Sequence, residues 1–434
     1  MVDGYGARIA VERGHLVIEQ GSFGEGKTTP TRISRGRSTF SRLIVRSPAG
    51  MISLDALDWC NRMGTPIAIL GSDSRLINCL VPDQSHDGPV KRAQAITAMT
   101  DDALRLGRWI LTRKLQSQAG ALGQDIRRLG FPSEREGEVR QAIGEIQSAL
   151  DAVQFETTLD GLLMREGYAA RCYWSVLTGL PLPWPTWAAH RVPNHWLSVN
   201  PRFSGGRNQV RDARDPFNAI LNYCYTLLEV EARVACEVCG LDPDLGILHV
   251  DDRLRESFVY DLMEPARAVV DVLALEFVNR IGLRPYMFHE LRDGIVRLDP
   301  DLAKELTQML MTRMRKPIMA EATSFAAELR RIKVPYRLSR FTRDAGPRYR
   351  KGRIPPSRPG FCEYCKKPVP KPGLKFCNRD CYLRHSVEVR QPIKLAQARL
   401  AELRAQGLSP GHGGQAARKR GLKIALSNRR RASE

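Results

Sequence analysis

Three side chains with metal-binding chemistry lie close together in the sequence. Asp261 and Glu264 are three residues apart, a spacing that places both carboxylates on one side of a helix, and His249 lies just before that predicted helix. Asp261 adjoins an apolar series that should face the core, where a carboxylate is costly unless it is hydrogen-bonded, paired or bound to a metal. This series comprises Phe258, Leu262, Ala266, Val269, Val270, Leu273 and Phe277.

Glu166 adds a third carboxylate in a similar position. It lies upstream in an apolar row of a second predicted helix, formed by Leu159, Leu163, Ala170, Tyr173 and Leu177. An ionised glutamate in such a row needs a strong partner. Two carboxylates and one imidazole with open positions suit Mg²⁺ or Mn²⁺. We therefore predict that Glu166, His249 and Glu264 hold a hard divalent cation.

A purely structural interpretation of the same carboxylates stays open. In that case Asp261 and Glu264 would be neutralised by an arginine nearby in the sequence, namely Arg253, Arg255 or Arg267. Structural ion pairs of this kind are common, and they also place charges in apolar surroundings.

The elements that must position these residues are mostly helices. Residues 88–334 carry long stretches of helical periodicity, over 90–115, 136–177, 216–239, 257–281 and 301–332. The stretch from Gly179 to Asp215 is too rich in proline for a helix and should wrap the helical body near the site. Its aromatic and basic residues would pack on the helices or, alternatively, stack on nucleic acid: Trp184, Trp187, Trp196 and Arg202.

The N-terminal part predicts a small β domain. Short runs rich in Leu, Ile and Val, separated by turn residues, predict strands over 15–20, 41–46, 66–70 and 75–80. Between the second and third run, residues 53–64 predict a helix with a serine start and a glycine stop.

Four motifs occur in a fixed order along the chain: Glu166–Trp174, Asn218–Tyr223, Gly240–His249 and Asp261–Arg267. Together they resemble the CRISPR adaptation integrase, the larger of the two core spacer-acquisition proteins, over about residues 90–310. The resemblance implies Glu166, His249 and Glu264 as the catalytic metal ligands. It implies that Asp261 is a second acidic position close to the site, and therefore a further candidate ligand.

The resemblance implies a metal-dependent DNA endonuclease and integrase. It would insert short DNA into a CRISPR repeat array in antiviral defence. The expected partners are double-stranded DNA, a second copy of the chain in a homodimer, and a small ferredoxin-like adaptation protein. One alternative is a CRISPR-independent, transposon-type integrase with the same site. Another, from a different class, is a zinc-ribbon nucleic-acid-binding protein without catalysis, which would leave Glu166 unexplained.

The charge distribution separates a basic tail from a neutral body. Residues 331–434 hold 27 of the 67 Lys and Arg but only 6 of the 47 Asp and Glu, which leaves 40 basic and 41 acidic residues in 1–330. A basic attachment of this kind favours nucleic acid as its target. No apolar run approaches the roughly 20 residues of a membrane span, and the N-terminus lacks a signal-peptide pattern, so we expect a cytoplasmic protein without membrane contact.

Four cysteines in the basic tail predict a structural zinc site. Their spacing, C-x2-C and then C-x3-C after eleven residues, suits tetrahedral Zn²⁺ coordination by Cys362, Cys365, Cys377 and Cys381. The predicted fold is therefore α+β and multidomain: a small N-terminal β domain, a larger all-α catalytic domain, and a C-terminal four-cysteine zinc module with a basic tail. The expected ranges are 1–88, 89–334, a linker over 335–360, the zinc module over 361–386 and the tail over 387–434.

One motif is misleading. Residues Gly21–Thr28 satisfy the phosphate-loop pattern G-x-x-x-x-G-K-[ST]. Such a loop must lead directly into a helix whose N-terminus faces the phosphates, whereas the segment after Thr28 carries a proline and no apolar helical face. We therefore expect a hairpin or loop here, without nucleotide hydrolysis.

Overall fold

The computed structural model of the 434-residue chain describes residues 1–21, 29–35, 40–47, 49–82, 84–125, 132–202, 213–249, 251, 255–334 and 381. They belong to two compact units, Met1–Pro335 and Tyr336–Glu434. Only Cys381 of the second unit is described, so the zinc module and basic tail otherwise lie outside the described residues. The finer domain ranges stay predictions.

The N-terminal part of the first unit forms two four-stranded sheets. The strands are β1 (Val2–Asp3), β2 (Arg8–Glu12), β3 (His15–Glu19), β4 (Thr31–Ile33), β5 (Leu43–Arg46), β6 (Met51–Ile52), β7 (Ile67–Leu70) and β8 (Leu76–Leu80). One sheet has the order β1-β5-β7-β8 and the other β4-β3-β2-β6. The predicted β region is confirmed through β3, β5, β7 and β8. Strand β2 was not predicted, and β1, β4 and β6 are too short to show an alternating pattern.

The strands contribute to two hydrophobic cores because successive side chains point to opposite faces. In β5, Leu43 and Val45 belong to the core of the β region, whereas Ile44 belongs to the larger core of the helical region. Helix α1 (Leu54–Arg62) covers the first core, and the Ser53 hydroxyl caps its N-terminus. The predicted helix with a serine start is thus confirmed.

The larger part of the first unit is helical. Its helices are α2 (Gly88–Thr97), α3 (Asp102–Gly120), α4 (Glu136–Val153), α5 (Leu159–Leu177), α6 (Thr186–Ala189), α7 (Pro216–Cys239), α8 (Ser257–Met263), α9 (Arg267–Ile281) and α10 (Pro300–Leu329). This region is not all-α as predicted, since an antiparallel hairpin pairs β9 (Phe288–Glu290) with β10 (Val296–Leu298). No helix among the described residues has the length and hydropathy needed to cross a bilayer.

Helix α7 lies at the centre of the helical region. Of its 24 residues 16 are buried, and it contacts α8, α9, α10 and strand β8. A helix that is apolar around most of its circumference must be covered on all sides. Its ends are well defined, because Asp215 accepts a hydrogen bond from the backbone N–H of Asn218 and Gly240 adopts the left-handed conformation, with φ 76°.

A proline divides the predicted helix over 257–281. Pro265 has no N–H for a helical hydrogen bond, and a 3₁₀ turn over Glu264–Ala266 separates α8 from α9. This turn shifts the helical phase, so the prediction that Val269 faces the core is wrong: it is 44% exposed, whereas Val270 is fully buried. The break also places Glu264 at the end of a helix instead of along its side.

The proline-rich stretch before α7 packs on the helical body. Trp184 stacks on Trp196 with 6.2 Å between ring centroids, and Phe288 of the hairpin contacts both rings. The Trp184 Nε1–H donates to the backbone oxygen of Trp196 at 2.8 Å. For these two tryptophans the packing interpretation is confirmed.

Gly21, the first glycine of the phosphate-loop lookalike, has a structural reason of its own. Its N–H donates to the backbone oxygen of Asp3, and a Cβ atom at this position would lie 2.1 Å from the carbonyl carbon of Gly4. Only glycine permits so close an approach between two backbones. The rest of the motif lies outside the described residues.

Candidate active site

Glu166 lies on α5 where the buried side of that helix meets a cavity. Its neighbours on the buried side are Leu162, Ala169 and Tyr173, each at most 1% exposed, whereas the Glu166 side chain is 28% exposed. The buried side is rotated by one position from the predicted row, since three members of that row are only half-buried: Leu159, Leu163 and Ala170.

Asp261 of α8 fixes the position of His249. Its Oδ1 accepts a hydrogen bond from His249 Nδ1 at 2.6 Å and from the His249 backbone N–H at 3.1 Å. Its Oδ2 accepts from the backbone N–H groups of Ile247, at 2.5 Å, and Leu248, at 3.0 Å. A carboxylate oxygen accepts, so Nδ1 donates its hydrogen to Asp261, and Nε2 is the ring nitrogen that faces Glu264. Both oxygens of Asp261 are engaged in these contacts.

Glu264 faces the same histidine from the 3₁₀ turn. It is 5% exposed, and its Oε1 lies 4.0 Å from His249 Nε2. Arg267 donates from Nε to the same oxygen at 2.9 Å. Of the arginine pairs considered, the one between Arg267 and Glu264 is therefore present, whereas the side-chain partner of Asp261 is His249.

Lys114 of α3 is a member of the site that sequence reasoning missed. Its ammonium forms an ion pair with Glu166 and lies 2.5 Å from Glu264 Oε2. Lys114 is 6% exposed and continues a buried row at four-residue spacing that begins with Leu106 and Ile110 and ends with Gln118. A lysine on a helix usually extends to solvent, but its position in line with two core residues was a signal that could have found it.

Electrostatics keep this cluster charged. Burial raises the pKa of the Glu264 carboxyl, but the charges of Arg267, Lys114 and His249 outweigh burial, so that the pKa lies below its ordinary value. Burial lowers the pKa of Lys114, but the charges of Glu264 and Glu166 outweigh it, and that pKa lies above its ordinary value. The Glu264 carboxylate and the Lys114 ammonium thus stabilise each other in their ionised forms.

The side chains of Glu166, His249 and Glu264 are suitable ligands for a hard divalent cation, but the Lys114 ammonium contacts both carboxylates. Glu264 Oε2 is buried and accepts no hydrogen bond of regular geometry. Within the described ranges, no three His, Cys, Asp or Glu side chains are arranged as a metal cluster. Instead, the Lys114 ammonium lies between Glu166 and Glu264, in contact with both. Carboxylate oxygens with one imidazole are donors that Mg²⁺ and Mn²⁺ accept.

The cluster opens into a cavity of about 1230 Å³ with a basic wall. The Arg202 guanidinium lies between the rings of Trp174, at 5.1 Å, and Tyr225, at 5.3 Å. It donates to the amide oxygens of Asn218 and Asn222 at 3.0 and 2.9 Å, and among the described residues no carboxylate lies within ion-pair distance of it. Arg171 and Arg297 also line the cavity. A positively charged cleft of this kind attracts polyanions.

Comparison with known proteins identifies the family. The family profile described as CRISPR associated protein Cas1 matches residues 1–311. A relative from Korarchaeum cryptofilum named CRISPR-associated endonuclease Cas1 is 24% identical over 298 residues, which cover 66% of this chain and 79% of the relative. A CRISPR-associated endonuclease Cas1 from Archaeoglobus fulgidus is 26% identical over 326 residues, which cover 72% of this chain and 87% of the relative.

Solved structures share the fold. A casposase bound to integration product has a TM-score of 0.63 at 21% identity, covering 76% of this chain and 89% of that one. A Cas1 protein from Thermotoga maritima has a TM-score of 0.58 at 17% identity, covering 77% and 99%. A chain from a Cas6-RT-Cas1–Cas2 complex has a TM-score of 0.56 at 16% identity, covering 75% and 34%.

The architecture, a β region ahead of a larger helical region, is therefore one shared by casposase and Cas1 structures. Because the family profile covers most of the chain, the protein belongs to the Cas1 family. The resemblance drawn from the four motifs is confirmed.

Proposed function

We propose that the protein is a metal-dependent DNA endonuclease and integrase that inserts short DNA segments by transesterification. A 3′-hydroxyl of the incoming DNA attacks a phosphodiester of the target, a new phosphorus–oxygen bond forms, and a target 3′-hydroxyl leaves. No covalent bond to the enzyme is needed. The observation that carries this proposal is the convergence of Glu166, His249 and Glu264 on one basic cavity in a chain of the Cas1 family.

The chain's own residues have distinct roles in this proposal. Glu166, His249 and Glu264 would hold Mg²⁺ or Mn²⁺, which would supply activation of the attacking hydroxyl and neutralisation of phosphate charge. Asp261 orients the imidazole so that Nε2 faces Glu264, and we assign it a positioning role instead of direct ligation. Arg267 neutralises Glu264, and Arg202 with Trp174 offers DNA a charge and an aromatic face.

We also propose the assembly that the resemblance implies. The chain would act in the cytoplasm as a homodimer around a small ferredoxin-like protein, and it would insert DNA into a CRISPR repeat array. The Cas2-containing complex among the similar structures supports the choice of partner. The non-catalytic alternative is not favoured, because the family match covers residues 1–311 and not the four-cysteine segment.

For the C-terminal unit, we propose a structural zinc held by Cys362, Cys365, Cys377 and Cys381, with the basic tail contributing DNA affinity. Freshly purified, reduced protein should contain one zinc per chain by elemental analysis. Truncation after Arg330 should make the slope of log K for DNA binding against log salt concentration less steep, by about 0.9 for each lost phosphate contact. A zinc-free protein would contradict the zinc site, and an unchanged slope would contradict the role of the basic tail in DNA binding.

The test of the main proposal is strand transfer of a short duplex into supercoiled plasmid. Reactions contain Mg²⁺ or Mn²⁺, or a chelator, with and without the candidate partner, and plasmids with and without a repeat array. We expect joined products that need the metal and favour the array. Equal insertion into both plasmids would favour the transposon-type alternative. Absence of product from folded protein under all conditions would contradict integrase function.

A further inference from the structure

The Lys114 ammonium lies between two carboxylates that are proposed metal ligands. Its position therefore affects how a metal can bind at this site. The ammonium contacts Glu166 and Glu264, and the side chain is buried in the row that begins with Leu106. Glu264 retains Arg267 as a separate partner on its other oxygen. Within the described part of the chain, Lys114 is therefore the cation that forms ion pairs with Glu264 Oε2 and with Glu166.

An ammonium and a divalent cation compete for the same carboxylates. Like charges a few ångströms apart in a largely buried site repel strongly, so the contact of Lys114 with Glu166 Oε1 and Glu264 Oε2 opposes a metal at these residues. Withdrawal of Lys114 would therefore favour metal binding. The unbound site is not an empty cluster of negative charges, because an internal cation already compensates it.

The cavity offers places for the displaced ammonium. Gln118 lies one helical turn beyond Lys114 on the same side of α3 and lines the same cavity. Its Oε1 is buried and has no hydrogen-bond partner among the described residues, so it can accept from an ammonium that has left Glu166. A DNA phosphate in the cavity would be a stronger acceptor, since it restores a full ionic partner.

We propose that Lys114 is an exchangeable internal counter-ion that couples metal binding to DNA binding. Without DNA, its contact with Glu166 and Glu264 opposes the metal. With DNA, a phosphate takes over the ammonium and frees both carboxylates, so each ligand raises affinity for the other. This inference rests on the proposed function, because it assumes that the metal binds to these carboxylates. It assigns Lys114 a positioning and regulatory role at the site.

The experiment measures Mn²⁺ affinity by electron paramagnetic resonance on the full-length protein. The probe DNA is a short duplex with 3′-dideoxy ends, which cannot be joined. For the wild type, we expect DNA to raise Mn²⁺ affinity by about tenfold. For Lys114→Met, we expect Mn²⁺ affinity without DNA to rise by about tenfold and the effect of DNA to fall below about threefold. Lys114→Gln, which can still donate hydrogen bonds to the carboxylates, serves if the methionine variant fails to fold.

Arg113→Gln is the matched control. It removes one positive charge from the neighbouring position of α3, where Arg113 pairs with Glu321. It should leave Mn²⁺ affinity and the effect of DNA unchanged. A second readout is thermal unfolding, because Mn²⁺ should raise the melting temperature of Lys114→Met more than that of the wild type.

Two kinds of failure are distinguishable. If Glu166→Ala does not weaken Mn²⁺ binding, the metal site of the proposed function is wrong. If Glu166→Ala abolishes Mn²⁺ binding but the Lys114 variants bind Mn²⁺ no better than the wild type, or keep the full effect of DNA, the counter-ion role is wrong and the metal site stands.

Discussion

Two buried ion pairs join distant parts of the chain, and they differ in how completely their charges are satisfied. Arg42, just before β5, donates from Nε and Nη2 to the two oxygens of Glu231 on α7, at 2.7 and 2.9 Å. In the cavity, by contrast, a single Lys114 ammonium is shared between Glu166 and Glu264. The first contact is a guanidinium fork on one carboxylate, and the second is a point charge between two.

Burial does not separate these two sites. The Arg42 and Glu231 side chains are 6% and 2% exposed, and those of Lys114 and Glu264 are 8% and 6% exposed. What separates them is the hydrogen-bond geometry and the access to the cavity. Both oxygens of Glu231 have a donor, whereas Glu264 Oε2 accepts no regular hydrogen bond and its site opens into the cavity. We call the Arg42–Glu231 pair the saturated site, because each carboxylate oxygen has its own donor, and it joins two elements. We call the Lys114–Glu166–Glu264 cluster the unsaturated site, and we expect that it can exchange its cation.

The largest expected effect is on activity at the unsaturated site. Glu166→Ala and His249→Ala should each reduce strand transfer on the order of 1000-fold, because each removes a proposed ligand. The free energy of unfolding should change by only about 1 kcal/mol, since both side chains are partly exposed. Strand-transfer assays and urea unfolding measure the two quantities.

The matched control for Glu166 is Asp160→Asn, which neutralises an exposed carboxylate on the same helix. It should leave strand transfer unchanged. Glu264→Gln should also abolish transfer, but it should destabilise the protein as well, because it leaves Arg267 and Lys114 without their shared partner. Normal transfer by folded Glu166→Ala protein would contradict the assignment of the site.

At the saturated site, the expected effect is on stability. Arg42→Met leaves the Glu231 carboxylate buried and unpaired, and it should lower the free energy of unfolding by about 3–5 kcal/mol. Adding Glu231→Leu should recover part of the loss, because no buried charge then remains. Urea unfolding measures both. Strand transfer per folded molecule should stay near wild type, and a specific loss of transfer would erase the distinction between the two sites.

Sequence reasoning found one of these sites in part and the other not at all. Glu166, His249 and Glu264 were predicted from carboxylates among apolar residues and from motif order. Glu231 has the same local pattern, but its partner lies 189 residues away, and no local spacing reveals it. Lys114 stands in a buried row that marks it as unusual, but its partners on α5 and after α8 cannot be read from local spacing. A charged residue in an apolar row is visible in the sequence, whereas its long-range partner is not.

The fold shows a similar division. Helix α7, which has clear caps, was predicted over its whole length, whereas the predicted stretches 90–115 and 136–177 each cover two helices. The 3₁₀ turn at Glu264 and the β9–β10 hairpin were not predicted, because three-residue elements carry too few positions to show a period. Pro265 was the visible sign of the turn.

A smaller effect is expected at Asp261, which belongs to neither kind of site alone. It is fully buried and saturated like Glu231, yet it holds His249 for the cavity. Asp261→Asn should weaken Mn²⁺ affinity by about 10- to 100-fold, because the amide offers one accepting oxygen to four N–H donors and lacks the negative charge that supports the imidazole. Excess Mn²⁺ should restore part of the strand transfer. A loss that no Mn²⁺ concentration restores would indicate that Asp261 is itself a ligand.

The smallest expected effect is on the pH dependence of the free energy of unfolding. Two carboxylates of the same cavity, Glu264 and Glu229, have pKa shifts in opposite directions and therefore change this free energy with pH in opposite directions. Glu264 has a pKa below its ordinary value, so its ion pairs stabilise the fold above the unfolded pKa, and this contribution is lost as pH falls. Glu229 of α7 also lines the cavity, but burial and the charge of Glu256 raise its pKa to about 7. Between about 4.5 and about 7 the folded state binds more protons there than the unfolded state, so stability declines as pH rises.

Glu229→Gln should remove this decline, because the amide stays neutral at every pH. At about pH 8 the variant should be more stable than the wild type by on the order of 2 kcal/mol, and at about pH 4 the two should be equal. Urea unfolding across this range measures the difference. Glu276→Gln, which neutralises a carboxylate on α9 outside this cavity, should leave the slope unchanged. A Glu229→Gln variant that is less stable than the wild type at high pH would show that the Glu229 charge is paired with Arg233 or Arg267 as firmly as Glu231 is with Arg42.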